Sequence, residues 1–345
     1  MVAKELKIGM LFPFRKEHAL LTEFCDNFPA KIVNTPYLES NELRSSRGLN
    51  NGMNPGTHME PIVEDSHIAE WSDCNVVVGM DLPSNPSQLF PNLAWFQGVS
   101  AGYDHIDSQA LSMMGALQTS ARGIASPAIA EFVFARLLQI WKKLRVLDLQ
   151  QSENEWRAHF GSQAFGKTVG IIGLGSIGRE VAIRAKAFGM TVLAVRKSSA
   201  TGGEDVDVDR LFSVNDLDEM INVCDVVVVA APANEDTRDM FDERRFGIMK
   251  NGSIFCNIAR GMHVVEKDLV SALESGHLAA AILDVTRNEP LPSNSPLWSS
   301  PNMYLSPHCS VSFDTYEENA VELLVKNAKL FLQALPLVNV INPTE

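Results

Sequence analysis

Three side chains in the second half of the sequence could do chemistry together. They are Arg260 in Asn257-Ile258-Ala259-Arg260-Gly261, Glu289 in Asp284-Val285-Thr286-Arg287-Asn288-Glu289-Pro290, and His308 in Leu305-Ser306-Pro307-His308-Cys309. Each sits at the end of an apolar run that reads as a strand, or in the loop after it, where ligands bind in parallel α/β sheets. An arginine can clamp a carboxylate bidentately and polarise the carbonyl beside it. A histidine can supply the proton an alkoxide needs as hydride arrives. A carboxylate next to that histidine orients the ring and favours its protonated form. The set suits reversible hydride transfer at a 2-keto acid. Taken singly, His308 is a satisfied loop histidine, Glu289 a solvated acid and Arg260 a surface arginine. Only the combination, in a nucleotide-binding sheet, overturns those readings.

The nucleotide site is written in Val169-Gly170-Ile171-Ile172-Gly173-Leu174-Gly175-Ser176-Ile177-Gly178, an apolar strand running into G-x-G-x-x-G and then a helix. Gly173 permits the tight turn, Gly175 lets backbone N–H groups approach a pyrophosphate, and Gly178 allows close packing of helix on strand. Ser176 and Ile177 lie at the helix N-terminus, where unpaired N–H groups and the helix dipole favour an anion.

The elements that must position these groups follow from the pattern. Strands are expected at Thr168–Gly173, Thr191–Val195, Asp225–Ala230, Ser253–Asn257, Ala279–Val285 and Met303–Leu305, continuously apolar as parallel strands buried on both faces should be. Helices fall between them, for instance Glu266–Ser275. The first 120 residues repeat the style at Leu6–Phe12, Lys31–Asn34, Asn75–Met80, Ala94–Val99 and Ala116–Thr119. The polar stretch Asn41–Met59 is expected to be a mobile loop. Ser126-Pro127 opens a long helix with Ser as N-cap, its apolar spacing running through Leu147 over about five turns. Tyr316–Leu335 reads as an amphipathic helix that packs back on the first domain. The expected architecture is therefore a discontinuous substrate-binding domain, 1–120 and 313–345, with a nucleotide-binding domain, 121–312, inserted in it. Arg260, Glu289 and His308 would face the cleft between them.

Composition sets bounds. The 345 residues suggest about two domains. A hydrophobic content of 46% with 21% charged residues is ordinary for a globular protein. The net charge of −13 argues against nucleic acid as a partner. The five cysteines are scattered without a C-x-x-C pair and read as free thiols in a reducing compartment, with Cys224 and Cys256 in the core. The N-terminal segment reads as neither a signal peptide nor a membrane span, so the cytoplasm is expected. No metal site is expected.

Taken together, these motifs resemble the D-isomer-specific 2-hydroxyacid dehydrogenase family. The resemblance spans roughly residues 75–320 and rests on Val99-Ser100-Ala101-Gly102-Tyr103-Asp104-His105-Ile106-Asp107, the G-x-G-x-x-G, Ala231-Pro232 with Thr237, Asn257–Gly261, Leu283–Pro290 and Ser306-Pro307-His308. It implies two doubly wound α/β domains, a Rossmann nucleotide-binding domain inserted into a discontinuous flavodoxin-like substrate domain. It also implies that Arg260, Glu289 and His308 are the catalytic set, with His308 as acid/base. Val99, Ser100, Ala101 and Gly102 would hold the substrate carboxylate with Arg260 and His308. Asp284 would contact the nicotinamide carboxamide, and Ala231, Pro232, Thr237, Ile258, Ala259 and Ser310 would line the cofactor. A homodimer is implied, with the helix after Ser126 in the interface and Trp156 in a dimer arm. Trp156 and Trp298 are read as core or interface packing rather than substrate contacts.

The second strand, Thr191–Val195, ends in Arg196-Lys197-Ser198, where an NAD site usually carries an acid. Arg196 can stack on adenine and pair with a 2′-phosphate, with Lys197 and Ser198 adding charge and a donor. NADPH is the expected cofactor, with NAD possible. The expected reaction is reduction of glyoxylate, hydroxypyruvate or a similar small 2-keto acid, an aryl pyruvate remaining open. The short stretch after the last helix argues against the appended regulatory domain that some phosphoglycerate dehydrogenases carry, while phosphoglycerate stays open as an alternative substrate. Formate dehydrogenases fit less well, since that resemblance would put glutamine where Glu289 stands. Phosphite oxidation stays open. A rival of another class is a non-catalytic, nucleotide-sensing corepressor on the same scaffold.

Overall fold

A computed structural model describes residues 5–197 and 205–342. The chain divides into two compact units, Met1–Ile124 with Phe313–Glu345, and Ala125–Ser312.

The first unit is built on a five-stranded sheet of β1 (Leu6–Met10), β2 (Ala30–Asn34), β3 (Val76–Gly79), β4 (Trp95–Gly98) and β5 (Leu117–Thr119), in the order β2-β1-β3-β4-β5. Every pairing is parallel, the flavodoxin-like arrangement. Both faces are covered, which is why its strands read as unbroken apolar runs. Leu6, Ile8, Val76, Val78 and Trp95 pack against Val321, Leu324, Val325 and Ala328 of the helix Tyr316–Leu332. Val77, Phe96, Trp71, Phe90 and Leu111 fill the other face. The returning helix is also tied by polar bonds. Asn327, fully buried, donates to Gln97 Oε1 at 3.0 Å and to Val338 O at 3.1 Å.

Residues 41–59, expected to be a mobile loop, contain instead the helix Asn41–Leu49, N-capped by Ser40, whose Oγ accepts from Leu43 N at 3.1 Å. Ions rather than an apolar stripe dock it. Arg44 forks onto Asp81 with two bonds of 2.7 Å. Arg47, only 2% exposed, donates to Gly52 O and Glu60 and lies 2.9 Å from the Glu39 carboxylate. A segment held by buried ion pairs carries no hydrophobic periodicity, and so it read as a loop.

The second unit carries a seven-stranded sheet of β6 (Thr168–Ile172), β7 (Thr191–Val195), β8 (Arg210–Phe212), β9 (Val226–Val229), β10 (Ser253–Asn257), β11 (Leu278–Leu283) and β12 (Met303–Leu305). Its order, β12-β11-β10-β9-β6-β7-β8, is parallel throughout. This is the doubly wound Rossmann arrangement. The chain starts in the middle, winds outward one way through β7 and β8, then returns beside β6 and winds the other way. The strand order therefore reverses between β6 and β9, where such sheets bind ligands at the carboxyl ends of their strands. Ile171, Val228 and Ile254 pack on Val181 and Ala185 of the helix Ser176–Ala187 and on Val133 and Leu137 of the helix Ser126–Trp141. Phe255, Phe246 and Phe241 fill the opposite face. Cys224 and Cys256 are fully buried, and burial pushes the Cys224 thiol up to about 12.

The long helix departs from expectation twice. Its N-cap is Ala125, so Ser126 and Pro127 occupy the first turn and no side chain caps it. It ends at Trp141, where Lys143 adopts a left-handed φ of 57°, and a second helix runs Leu144–Ser152. The apolar spacing continues across the break, so periodicity alone could not reveal it.

Candidate active site

The turn after β6 has the shape a pyrophosphate requires. Gly173 has a φ of +97°, and a Cβ there would lie 2.6 Å from Ala231 Cα and N, so only glycine fits between the two strand ends. A Cβ on Gly178 would collide with Gly173 O, whereas one on Gly175 would meet nothing within 4 Å. The space over Gly175 is open. The helix behind it begins at Ser176 with Gly175 as N-cap and no side-chain cap. Its first N–H groups, on Ser176, Ile177 and Gly178, are thus left for an anion. These residues fit a dinucleotide.

At the end of β9, Ala231 abuts Gly173, and Pro232 O accepts from Thr237 Oγ1 at 3.1 Å. His263, fully buried, donates from Nε2 to the same carbonyl at 3.3 Å, and burial holds its pKa down against the pull of that bond. Sequence reasoning did not single it out.

At the end of β10 the buried Asn257 shapes the loop. Its Oδ1 accepts from Ala259 N at 3.1 Å and its Nδ2 donates to Arg260 O at 2.8 Å, closing the Ile258-Ala259 turn beneath Arg260. Gly261 then passes the next loop so closely that a Cβ would collide with the main chain of Thr286 and Arg287. That approach brings the Arg260 turn beside the Glu289 turn.

Glu289 and His308 meet directly. Glu289 Oε1 accepts from Thr286 N at 3.0 Å, and Oε2 lies 2.8 Å from His308 Nδ1. Burial pushes the Glu289 carboxyl up. The hydrogen bond and charge of His308, the Thr286 N–H and the Arg260 charge outweigh it and hold the group below its usual value. A carboxylate on Nδ1 fixes the ring and leaves Nε2 for proton exchange. Arg260, Glu289 and His308 thus converge, from the ends of β10, β11 and β12.

Asp284, 1% exposed, accepts from Ser306 Oγ at 2.7 Å, Cys309 N at 3.0 Å and Ser310 N at 3.2 Å. Asn257 and Ser306 were both missed as site residues. Their only sequence signal was that they lie inside the motifs of Arg260 and His308.

Arg196 follows β7 directly, its Nη1 3.7 Å from Asp205, and Lys197 lies 3.0 Å from Asp236. Asp205 also takes a bidentate fork from Arg179, so an acid does stand near Arg196, supplied from beyond the strand end. Ser198 lies outside the described residues. The Val99–Gly102 loop belongs to the first unit, after β4. Val99 O accepts from the Tyr316 hydroxyl, and Ser100 Oγ donates to Gly102 O at 2.6 Å. Trp156 is fully exposed and Trp298 is 57% exposed, its Nε1 donating to Pro292 O, so neither is a core residue of this chain. No helix among the described residues is long and apolar enough to cross a membrane.

Comparison with known proteins gives concordant matches. Residues 134–310 match the NAD-binding domain of the D-isomer specific 2-hydroxyacid dehydrogenases. A glyoxylate reductase from Thermococcus kodakarensis is 32% identical over 75% of this chain and 80% of its own. A glyoxylate/hydroxypyruvate reductase B from Citrobacter koseri is 31% identical over 83% of this chain and 90% of its own. A crystal structure of a D-isomer specific 2-hydroxyacid dehydrogenase family protein from Aeromonas salmonicida superposes with a TM-score of 0.74 at 27% identity, covering 98% of this chain and 99% of that one.

Proposed function

Because the chain belongs to the D-isomer-specific 2-hydroxyacid dehydrogenase family, with relatives named glyoxylate reductase and glyoxylate/hydroxypyruvate reductase B, we propose that it reduces glyoxylate, hydroxypyruvate or a similar small 2-keto acid to the D-2-hydroxy acid with NADPH. The observation that carries the reading is the 2.8 Å contact of His308 Nδ1 with Glu289 beside the Arg260 turn.

A bound nicotinamide cofactor would supply the hydride. Arg260 binds the substrate carboxylate and draws electron density from the adjacent carbonyl, lowering the barrier to attack at its carbon. His308 Nε2 delivers a proton to the carbonyl oxygen as negative charge develops there. Glu289 stabilises the imidazolium before transfer and keeps the ring from turning. In the oxidative direction the neutral ring takes the proton back. We assign the cofactor to the Gly173–Gly178 turn, Ala231, Pro232, Thr237, Ile258, Ala259, Asp284 and Ser310, and the 2′-phosphate to Arg196 and Lys197. The preference for NADPH rests on the absence of an acid at 195–197. The first unit is proposed as the substrate-binding unit, with Val99–Gly102 as its carboxylate loop. A homodimer is proposed from the exposed apolar side chains of Leu144, Val146, Leu147, Leu149, Trp156 and Phe160.

The test is a panel of 2-keto acids with NADPH and NADH, followed by nicotinamide absorbance, on the wild type, Arg196→Ala and His308→Ala. Arg196→Ala should raise the KM for NADPH far more than that for NADH; equal effects would sink the cofactor assignment. His308→Ala should lose turnover while keeping its fold and NADPH affinity. Unchanged turnover in that variant refutes the mechanism.

A further inference from the structure

We propose that Ser306 is a positioning residue: its hydroxyl anchors the Asp284 carboxylate, which in turn holds the backbone of residues 308–310 so that His308 is presented to Glu289. The inference rests on the reading of His308 as the acid/base.

β12 pairs with β11 as far as Leu283 and Leu305, and a last main-chain bond runs from Ser306 N to Leu283 O at 3.0 Å, so beyond Ser306 the ladder no longer fixes the chain. Immediately after it His308 adopts a φ of +52°, a left-handed conformation that side chains with a Cβ seldom hold unless their surroundings impose it. Asp284 supplies that constraint with both its main chain and its side chain. Its carbonyl accepts from His308 N at 2.8 Å. Its carboxylate takes the next two backbone donors, Cys309 N on Oδ1 and Ser310 N on Oδ2. Three consecutive N–H groups are thereby tied to one residue.

A buried carboxylate at 1% exposure needs donors and a fixed rotamer. The Ser306 hydroxyl provides both. It has one proton, and the Asp284 oxygen at 2.7 Å is a far better acceptor than Leu283 O at 3.4 Å. Oδ1 then carries two donors and Oδ2 one, so Oδ2 retains capacity for a further donor such as the carboxamide that the resemblance sets against Asp284. The same carboxylate would thus read the nicotinamide and set the histidine. Removing the hydroxyl leaves Asp284 freer to turn, and the effect falls on the ring that the 308–310 backbone carries.

The experiment compares wild type, Ser306→Ala and Ser306→Thr by steady-state kinetics across pH, NADPH binding, thermal melting, and NMR titration of the His308 ring. Ser306→Ala should lower kcat by about tenfold or more. The 2-keto acid KM and the NADPH Kd should stay within about threefold, and the ring titration should move away from the wild-type curve. Ser306→Thr, which keeps the hydroxyl, should restore both kcat and the titration. An unchanged kcat and titration in Ser306→Ala overturn the proposal, as does a loss that Ser306→Thr fails to rescue. A change confined to KM would make Ser306 a binding residue instead. If the wild type reduces no 2-keto acid, the proposed function fails on that result, and the His308 titration still decides the role of Ser306.

Discussion

Gly261 offers a sharp test of how the catalytic turns are held together. In Gly261→Ala the new Cβ would lie well inside 3.0 Å of the Thr286 carbonyl and of Arg287 N. All of these are main-chain atoms, so no flexible side chain can give way. Ordinary contact begins at 3.4 Å, so the Arg260 turn and the Thr286–Glu289 turn must part by roughly 1 Å. A displacement of roughly 1 Å from productive geometry costs about a hundredfold in rate. Overpacking of this kind costs about 1–3 kcal/mol of stability. The expected result is therefore a fall in kcat/KM of about two orders of magnitude, with a melting temperature lower by only a few degrees. Gly247→Ala is the control. Gly247 lies in the helix Glu243–Ile248 with nothing within 4 Å of a Cβ. That substitution should leave the rate unchanged and gain about 0.5–1 kcal/mol of stability. Gly261→Ala with kcat/KM within about threefold of wild type would refute the claim that this close approach sets the site.

Two further expectations concern titrating groups. Glu289→Gln should lower kcat by about tenfold to a hundredfold while costing less than about 1 kcal/mol of stability, because the His308 pair is half exposed and screened by solvent. The ionised Glu289 has its carboxyl held below its usual value, by an environment in which burial alone would raise it. Its contribution is thus present above the unfolded carboxylate value and is lost as pH falls through the lower folded one, so acid unfolding curves of wild type and Glu289→Gln should converge at low pH. Glu39 behaves oppositely. Burial pushes its carboxyl up to about 7, the charge of Asp81 adding to this while Arg47 and the Tyr37 hydroxyl oppose it. The folded state then holds a proton that the unfolded state has released, so stability declines as pH rises from the unfolded value toward about 7. The decline is on the order of 3 kcal/mol. Denaturant midpoints measured across this window should slope downward in wild type and flatten in Glu39→Gln; parallel slopes would show that Glu39 does not titrate there.

Legibility in the sequence tracked the kind of force holding each part. β6, β7, β9 and β10 were readable because strands buried on both faces must be apolar throughout. β8, three residues long at the sheet edge and beginning with an arginine, carries no such run and was missed. The helix Asn41–Leu49 was invisible for a related reason, since Arg44 and Arg47 hold it through Asp81, Glu39 and Glu60. Lys143 ends a helix through its backbone conformation while Leu144 and Leu147 preserve the spacing. Arg260, Glu289 and His308 stood out only as a set, three complementary charges in the loops after successive strands of a nucleotide-binding sheet. Asn257, His263 and Ser306 act through hydrogen bonds to backbone atoms brought near only by the fold, and nothing in their residue types announces that. Asp205 approaches Arg196 from across a chain segment, so reading β7 to its last residue could not place it.

The helix Tyr316–Leu332 has a consequence for how the molecule is made. It covers Leu6 and Ile8, which leave the ribosome about three hundred residues earlier, and Val76, which leaves it about two hundred and fifty residues earlier. The second unit, Ala125–Ser312, has all its sequence before that helix emerges, so it can complete its sheet while the first unit still lacks one side of its core. Until the helix arrives, β1 and β3 present an apolar face without its cover. A nascent chain stalled between the two events would pair a finished nucleotide fold with a sticky, half-covered sheet, which is the state a chaperone would meet.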